Sequence, residues 1–149
     1  MGEVLATRQG ERRKMKKFLK KSVEKVFPYL FHGFVIWCFL DGSTDLIRVA
    51  TWTLSIFGIT YLGIGALLLA FHKEVASNLN DNLDNPDKVN REYWLKPQRV
   101  DSLVLAWTTS LIAVYADCAF PATLFILGFM LVRFGKYVTS EHLKDNYVI

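Results

Sequence analysis

The side chains in this chain that could do chemistry are three histidines, two cysteines and two charges set inside an apolar block: His32, His72, His142, Cys38, Cys118, Asp117 and Arg133. Imidazoles could hold a metal or carry a proton, but no His-x-x-His or Glu-x-x-His spacing places two ligands on one helical face. Asn80, Asn82 and Asp84 alternate as in the first half of a calcium loop. Asn85 stands where such a loop needs Gly and Arg91 where it needs a bidentate Glu, so calcium is rejected. The chain also lacks a Gly-rich phosphate loop, a Gly-x-Ser-x-Gly elbow and a pair of carboxylates within apolar sequence that could relay protons. The expectation is a protein that is not an enzyme and needs no cofactor or metal.

The elements that carry these residues are long apolar blocks. Of 149 residues, 52% are hydrophobic and 14% aromatic, and residues 49–71 contain no charge. A soluble helix keeps a polar face, whereas this segment is apolar all round, as a membrane span is. Residues 102–134 run 33 positions with Asp117 and Arg133 as the only charges. A bilayer core takes roughly 20 helical residues. Asp117 and Pro121 in ADCAFP mark a turn, because proline is disfavoured inside a helix and tolerated in its first turn. Two spans are therefore expected, over about 100–116 and 121–137. Upstream, 27–40 is apolar for 14 residues and reaches spanning length if 23–26 joins it, with Lys21 and Lys25 snorkelling to the headgroups.

Charge then orients the chain. With helices over 23–40, 46–71, 100–116 and 121–137, nine of the 18 lysines and arginines precede or open the first span, five lie in 72–99 and three lie at the C-terminal end, leaving Arg48 alone on the other side. Seventeen against one is a positive-inside pattern that puts both termini in the cytoplasm. The fold class that follows is an all-α integral membrane protein of about four transmembrane helices arranged as two helical hairpins, preceded by a basic amphipathic N-terminal segment. Its organisation is a basic cytoplasmic or interfacial arm (1–22), a first hairpin (23–71), a polar cytoplasmic loop (72–99), a second hairpin (100–137) and a cytoplasmic tail (138–149). The first span follows a basic stretch and lacks a small-x-small cleavage pattern, so it is expected to be retained in a multi-pass inner-membrane protein. The loop reads as a connector whose 78–87 stretch ends the second helix and turns the chain, with Tyr93 and Trp94 at headgroup depth.

In the arm, Arg12, Arg13, Lys14, Lys16, Lys17, Lys20, Lys21 and Lys25 form a membrane-surface cation set, with Met15, Phe18, Leu19, Val23 and Val26 on one helical side. No aromatic platform accompanies these cations, so the expected partner is the anionic bilayer surface and not nucleic acid. Within the spans, a thin face recurs at steps of three and four: Thr51, Ser55, Gly58, Leu62 and Gly65 in the second, all small but Leu62, and Ser102, Ala106, Thr109, Ala113 and Ala116 in the third. In lipid, small faces let helix backbones approach and let hydroxyls bond across. These two faces either close on each other within one chain or line a seam between copies. His32, inside the first span, requires protein or water beside it. Cys38 and Cys118 both fall at the outer ends of spans, where an oxidising compartment would permit a disulfide; two separate thiols are the favoured alternative.

In design, though by no motif, this small polytopic protein with a basic arm, thin helix faces and no catalytic centre resembles phage holins, which accumulate in the inner membrane and assemble into lethal lesions. The resemblance implies self-association and membrane permeabilisation. Met15 after Gly10-Glu11 fits the dual-start device of that class, although an ordinary internal methionine is the favoured reading. The competing expectation is a non-catalytic accessory or assembly subunit, or an exclusion factor, of a larger membrane complex. A small transporter ranks lower without an inverted repeat.

Overall fold

A computed structural model describes residues 22–23, 25–81, 94–95 and 97–146, with the side chain of residue 81 excepted. The cations Arg12, Arg13, Lys14, Lys16, Lys17, Lys20 and Lys21, together with Met15, Tyr93 and the 82–91 stretch, lie outside the described residues. Five helices and no strand occur among the described residues: α1 (25–41), α2 (Thr44–Ala70), α3 (His72–Asp81), α4 (Val100–Tyr115) and α5 (Ala119–Asn146). The chain divides into two compact units, Met1–Phe34 and Val35–Ile149. In the first, residues 25–34 are helical, and buried His32 stands edge-on to the Phe31 ring at 5.3 Å between centroids.

In the second unit several helix ends have a local cause. Gly42, at φ +74°, takes the left-handed conformation that costs a glycine little, and releases the chain from α1. Ser43 then caps α2, its hydroxyl accepting from the Leu46 amide at 3.4 Å, and Asp45 places a negative charge in the first turn. The helix closes at Phe71, whose amide donates to Leu67 O at 2.9 Å, and α3 starts at the next residue. At the end of α4 the Cys118 amide donates to Ala113 O (2.8 Å) and the Asp117 amide to Val114 O (3.1 Å). With Asp117 at φ +60°, this is a Schellman motif, which terminates a helix by turning one residue left-handed. Pro121 sits in the first turn of α5, where its missing amide hydrogen leaves no helical bond unmade. The long apolar block 102–134 is thus broken into two helices at Ala116–Cys118, as its Asp117 and Pro121 lead one to expect.

Two of the helices, α2 with 27 residues and α5 with 28, are long and apolar enough to cross a membrane; α4 is apolar and has 16. Both long helices carry large apolar side chains on the outside, among them Trp52 (70% exposed) and Phe120 (74%). A helix at the centre of a soluble domain buries such groups.

Two segments of the expected organisation carry helix that the sequence reading did not assign. Within the expected 72–99 loop, α3 docks on the last turns of α5, burying Ala76 and Leu79 against Leu143, with Val75, Trp94 and Leu95 around them. The expected C-terminal tail, 138–149, begins as a continuation of α5, helical to Asn146. The physical reason is common to both. Val75, Ala76 and Leu79 form an apolar stripe at helical spacing that α3 cannot bury alone, and Leu143 of α5 covers it.

Candidate helix-association site

α2 and α5 approach each other closely at their glycines. A Cβ placed on Gly58 would stand 2.8 Å from Leu124 C and Phe125 N, and one on Gly65 would stand 2.8 Å from Leu131 C and Val132 N. From the other side, a Cβ on Gly128 would meet Gly58 O at 2.5 Å, and one on Gly135 would meet Leu68 Cβ at 2.8 Å. These are backbone atoms or the first atoms of side chains, which cannot swing away. Gly58 and Gly65 are seven apart, as are Gly128 and Gly135, which is the repeat that keeps a contact face in register along two helices in a left-handed crossing. Contact partners rise together in number, from Thr51 with Cys118 through Gly58 with Phe125 to Gly65 with Val132, so α2 and α5 run parallel.

An aromatic wall flanks the glycine seam. Tyr61 of α2 lies 5.9 Å from Phe125 and 6.3 Å from Phe129 of α5, centroid to centroid, and 6.0 Å from Phe57 on its own helix. Small residues let the backbones meet on one side while rings fill the wedge beside them, at separations where tilted and edge-on pairs attract.

The residues of the two expected thin faces each lie against a particular neighbour. On α2, Gly58 and Gly65 are buried and Thr51 and Ser55 half-buried; the face is covered by α5, and no extended seam joins α2 to α4. On α4, Ala106, Thr109 and Ala113 are buried and Ser102 and Ala116 half-buried, and this helix also lies along α5. Nor do the hydroxyls chiefly bond across helices. Thr51 donates to Ile47 O (2.7 Å), Ser55 to Thr51 O (2.8 Å) and Thr109 to Leu105 O (2.8 Å), each four residues back along its own helix. Ser110 is the exception, buried with no hydrogen-bond partner for its hydroxyl. The glycines of α5 carry the same seven-residue signal as those of α2 and complete the seam, but sequence reasoning passed over them.

Cys38 and Cys118 are both thiols, Cys38 fully buried and Cys118 half-buried, and the possible bridge between them is not formed. Cys118 Sγ lies 3.3 Å from Thr51 Oγ1. The Thr51 hydroxyl has one proton and gives it to Ile47 O, which leaves the Cys118 thiol as donor in this contact. Cys118 thus serves the α2–α5 seam at its far end, beside the Schellman turn.

At the opposite end, where α2 finishes and α4 begins, polar groups gather. Arg133 Nη1 donates to Arg99 O (3.0 Å) and Ser102 Oγ (3.2 Å), its guanidinium lies 5.7 Å from the Phe129 ring centre, and Gln98 Nε2 donates to Arg133 O at 2.6 Å. The His72 and His142 rings meet edge-on at 5.6 Å. Further out, Lys144 donates to Glu141 at 2.9 Å, and that bond with its carboxylate holds the ammonium above the ordinary lysine pKa while both groups remain open to solvent. Lys25 of the surface cation set is exposed. Among the described residues no group of three or more His, Cys, Asp or Glu side chains could hold a metal ion. Compared with protein-family models, curated proteins and solved structures, the chain matches none.

Proposed function

We propose that this chain is a multi-pass inner-membrane protein of four spans, forming two hairpins with both termini in the cytoplasm, and that it acts through helix association in the bilayer, not through catalysis. The observation that carries the reading is the parallel α2–α5 seam, flanked by helices whose large apolar side chains face outward. An N-inside chain that crosses four times sends its second and fourth spans in the same direction, and two such spans pack in parallel. The seam also brings α3 with Lys73 and the C-terminal half of α5 with Arg133, Lys136 and Lys144 toward one end, beside Arg99 at the start of α4, which suits a positive-inside placement. The 16 residues of α4 make about 24 Å of helix against a hydrocarbon core of about 30 Å, a mismatch that local thinning or snorkelling of Arg99 absorbs.

Holin-like permeabilisation is the leading function: copies accumulate and associate through their outward faces, and the bilayer fails. A non-catalytic accessory or assembly subunit is the second reading, and a specific observation favours it. Gly58 and Gly65, the residues best suited to bring copies together, are covered by α5 of the same chain. Inducible expression in a bacterium, with membrane potential followed over time, separates the two. A lesion former collapses the potential abruptly at a set time, whereas an accessory subunit accumulates without effect.

A further inference from the structure

Between the start of α4 and the middle of α5 lies a cleft of about 330 Å³, lined by Gln98 and Ser102 on one side and Phe129, Val132, Arg133 and Lys136 on the other. Its walls are largely apolar, supplied in part by Pro97, Phe129 and Val132, and its three cations are Arg99, Arg133 and Lys136. Arg99 is paired with Asp101 at 2.7 Å. Arg133 is not paired in this way: it is half-buried, it touches no carboxylate among the described residues, and its contacts are a backbone carbonyl, a serine hydroxyl and the face of a phenylalanine. A guanidinium has five N–H donors in a planar fork that matches two phosphate oxygens, and a half-buried one with no carboxylate among its described neighbours is poised to accept an anion. Lys136, three residues on, lies on the same face of α5.

We infer that this cleft seats the phosphate of an anionic phospholipid, with Arg133 and Lys136 on the headgroup and Phe129 and Val132 under the start of the acyl chains. The inference rests on the membrane placement proposed above. A free phosphate would use the cations but leave the apolar walls in water; an amphiphile uses both. Basic recesses between spans on the cytoplasmic side are where such headgroups bind, and Arg133 stands where the apolar part of α5 gives way to its polar end.

The test uses the full chain in a neutral detergent, with thermal unfolding followed by circular dichroism. Phosphatidylglycerol should raise the midpoint by about 3 °C, the scale expected for a ligand that binds only the folded state of a chain of this size. Phosphatidylcholine and inorganic phosphate at equal concentration should leave it unmoved. Lys136→Gln and Arg133→Gln should each abolish most of the lipid-induced rise, whereas Arg48→Gln, at the other end of the molecule, should keep it. Because the readout is the rise and not the starting midpoint, Lys136→Gln still decides the matter if Arg133→Gln does not fold. An undiminished rise in Lys136→Gln overturns the site, and an equal rise with inorganic phosphate overturns the lipid. Flotation with vesicles after carbonate washing tests the membrane placement separately: a chain that floats but shows no phosphatidylglycerol shift refutes this cleft alone.

Discussion

Gly58 and Gly128 meet backbone to backbone: the Cβ that Gly128 lacks would lie 2.5 Å from the Gly58 carbonyl oxygen. Gly128→Ala should therefore push α2 and α5 apart and destabilise the fold by about 1–3 kcal/mol, as overpacking does. Gly63, with nothing within 4 Å of its Cβ position, is the matched control, and Gly63→Ala should be neutral or stabilising by up to about 1 kcal/mol. Gly58→Leu should be worse than Gly128→Ala, and Leu67→Ile, on an exposed face, should change stability by less than about 0.5 kcal/mol. Unfolding in mixed micelles by a denaturing detergent measures all four; equal stability of Gly128→Ala and Gly63→Ala would remove the seam from the account.

Asp117 holds a left-handed backbone at φ +60° to end α4. Asp117→Gly should be tolerated, since glycine adopts this conformation freely. Asp117→Val should cost about 1–2 kcal/mol, because a β-branched side chain crowds the following carbonyl there. The same unfolding assay ranks the two, and a valine variant as stable as the glycine variant would mean that the turn does not depend on this conformation.

For topology, a reporter active only outside the cytoplasm should be silent when fused at Asn85 or Ile149 and active at Ser43 or Ala119. Activity at Ile149 would require an odd number of spans and sink the four-span proposal.

Both cysteines should label fully without reductant once the chain is unfolded, as two thiols do. In sealed vesicles Cys118, the more exposed of the pair, should react first, and only from the non-cytoplasmic side. Labelling that appears only after reduction would reinstate the bridge to Cys38, and labelling of Cys118 from the cytoplasmic side would reverse the orientation.

Much of the molecule is determined by sequence because its causes are local. The apolar run of α2, the Ser43 cap and the break at Asp117 and Pro121 depend on residues within a few positions of one another, and each produces the element it foretells. The small face of Thr51, Ser55, Gly58 and Gly65 is equally legible, since helical spacing alone puts those residues together. What covers that face is a tertiary decision. A glycine face states that some backbone can come close without stating which one, and in lipid no difference in apolar burial singles out a partner, so shape decides. Gly128 and Gly135, seven apart like Gly58 and Gly65, match that shape on α5. The docking of α3 was hidden for the same reason. Ala76 and Leu79 look like scattered apolar residues in a polar loop until Leu143 of α5 is brought against them, and contact over that sequence distance has no local signature.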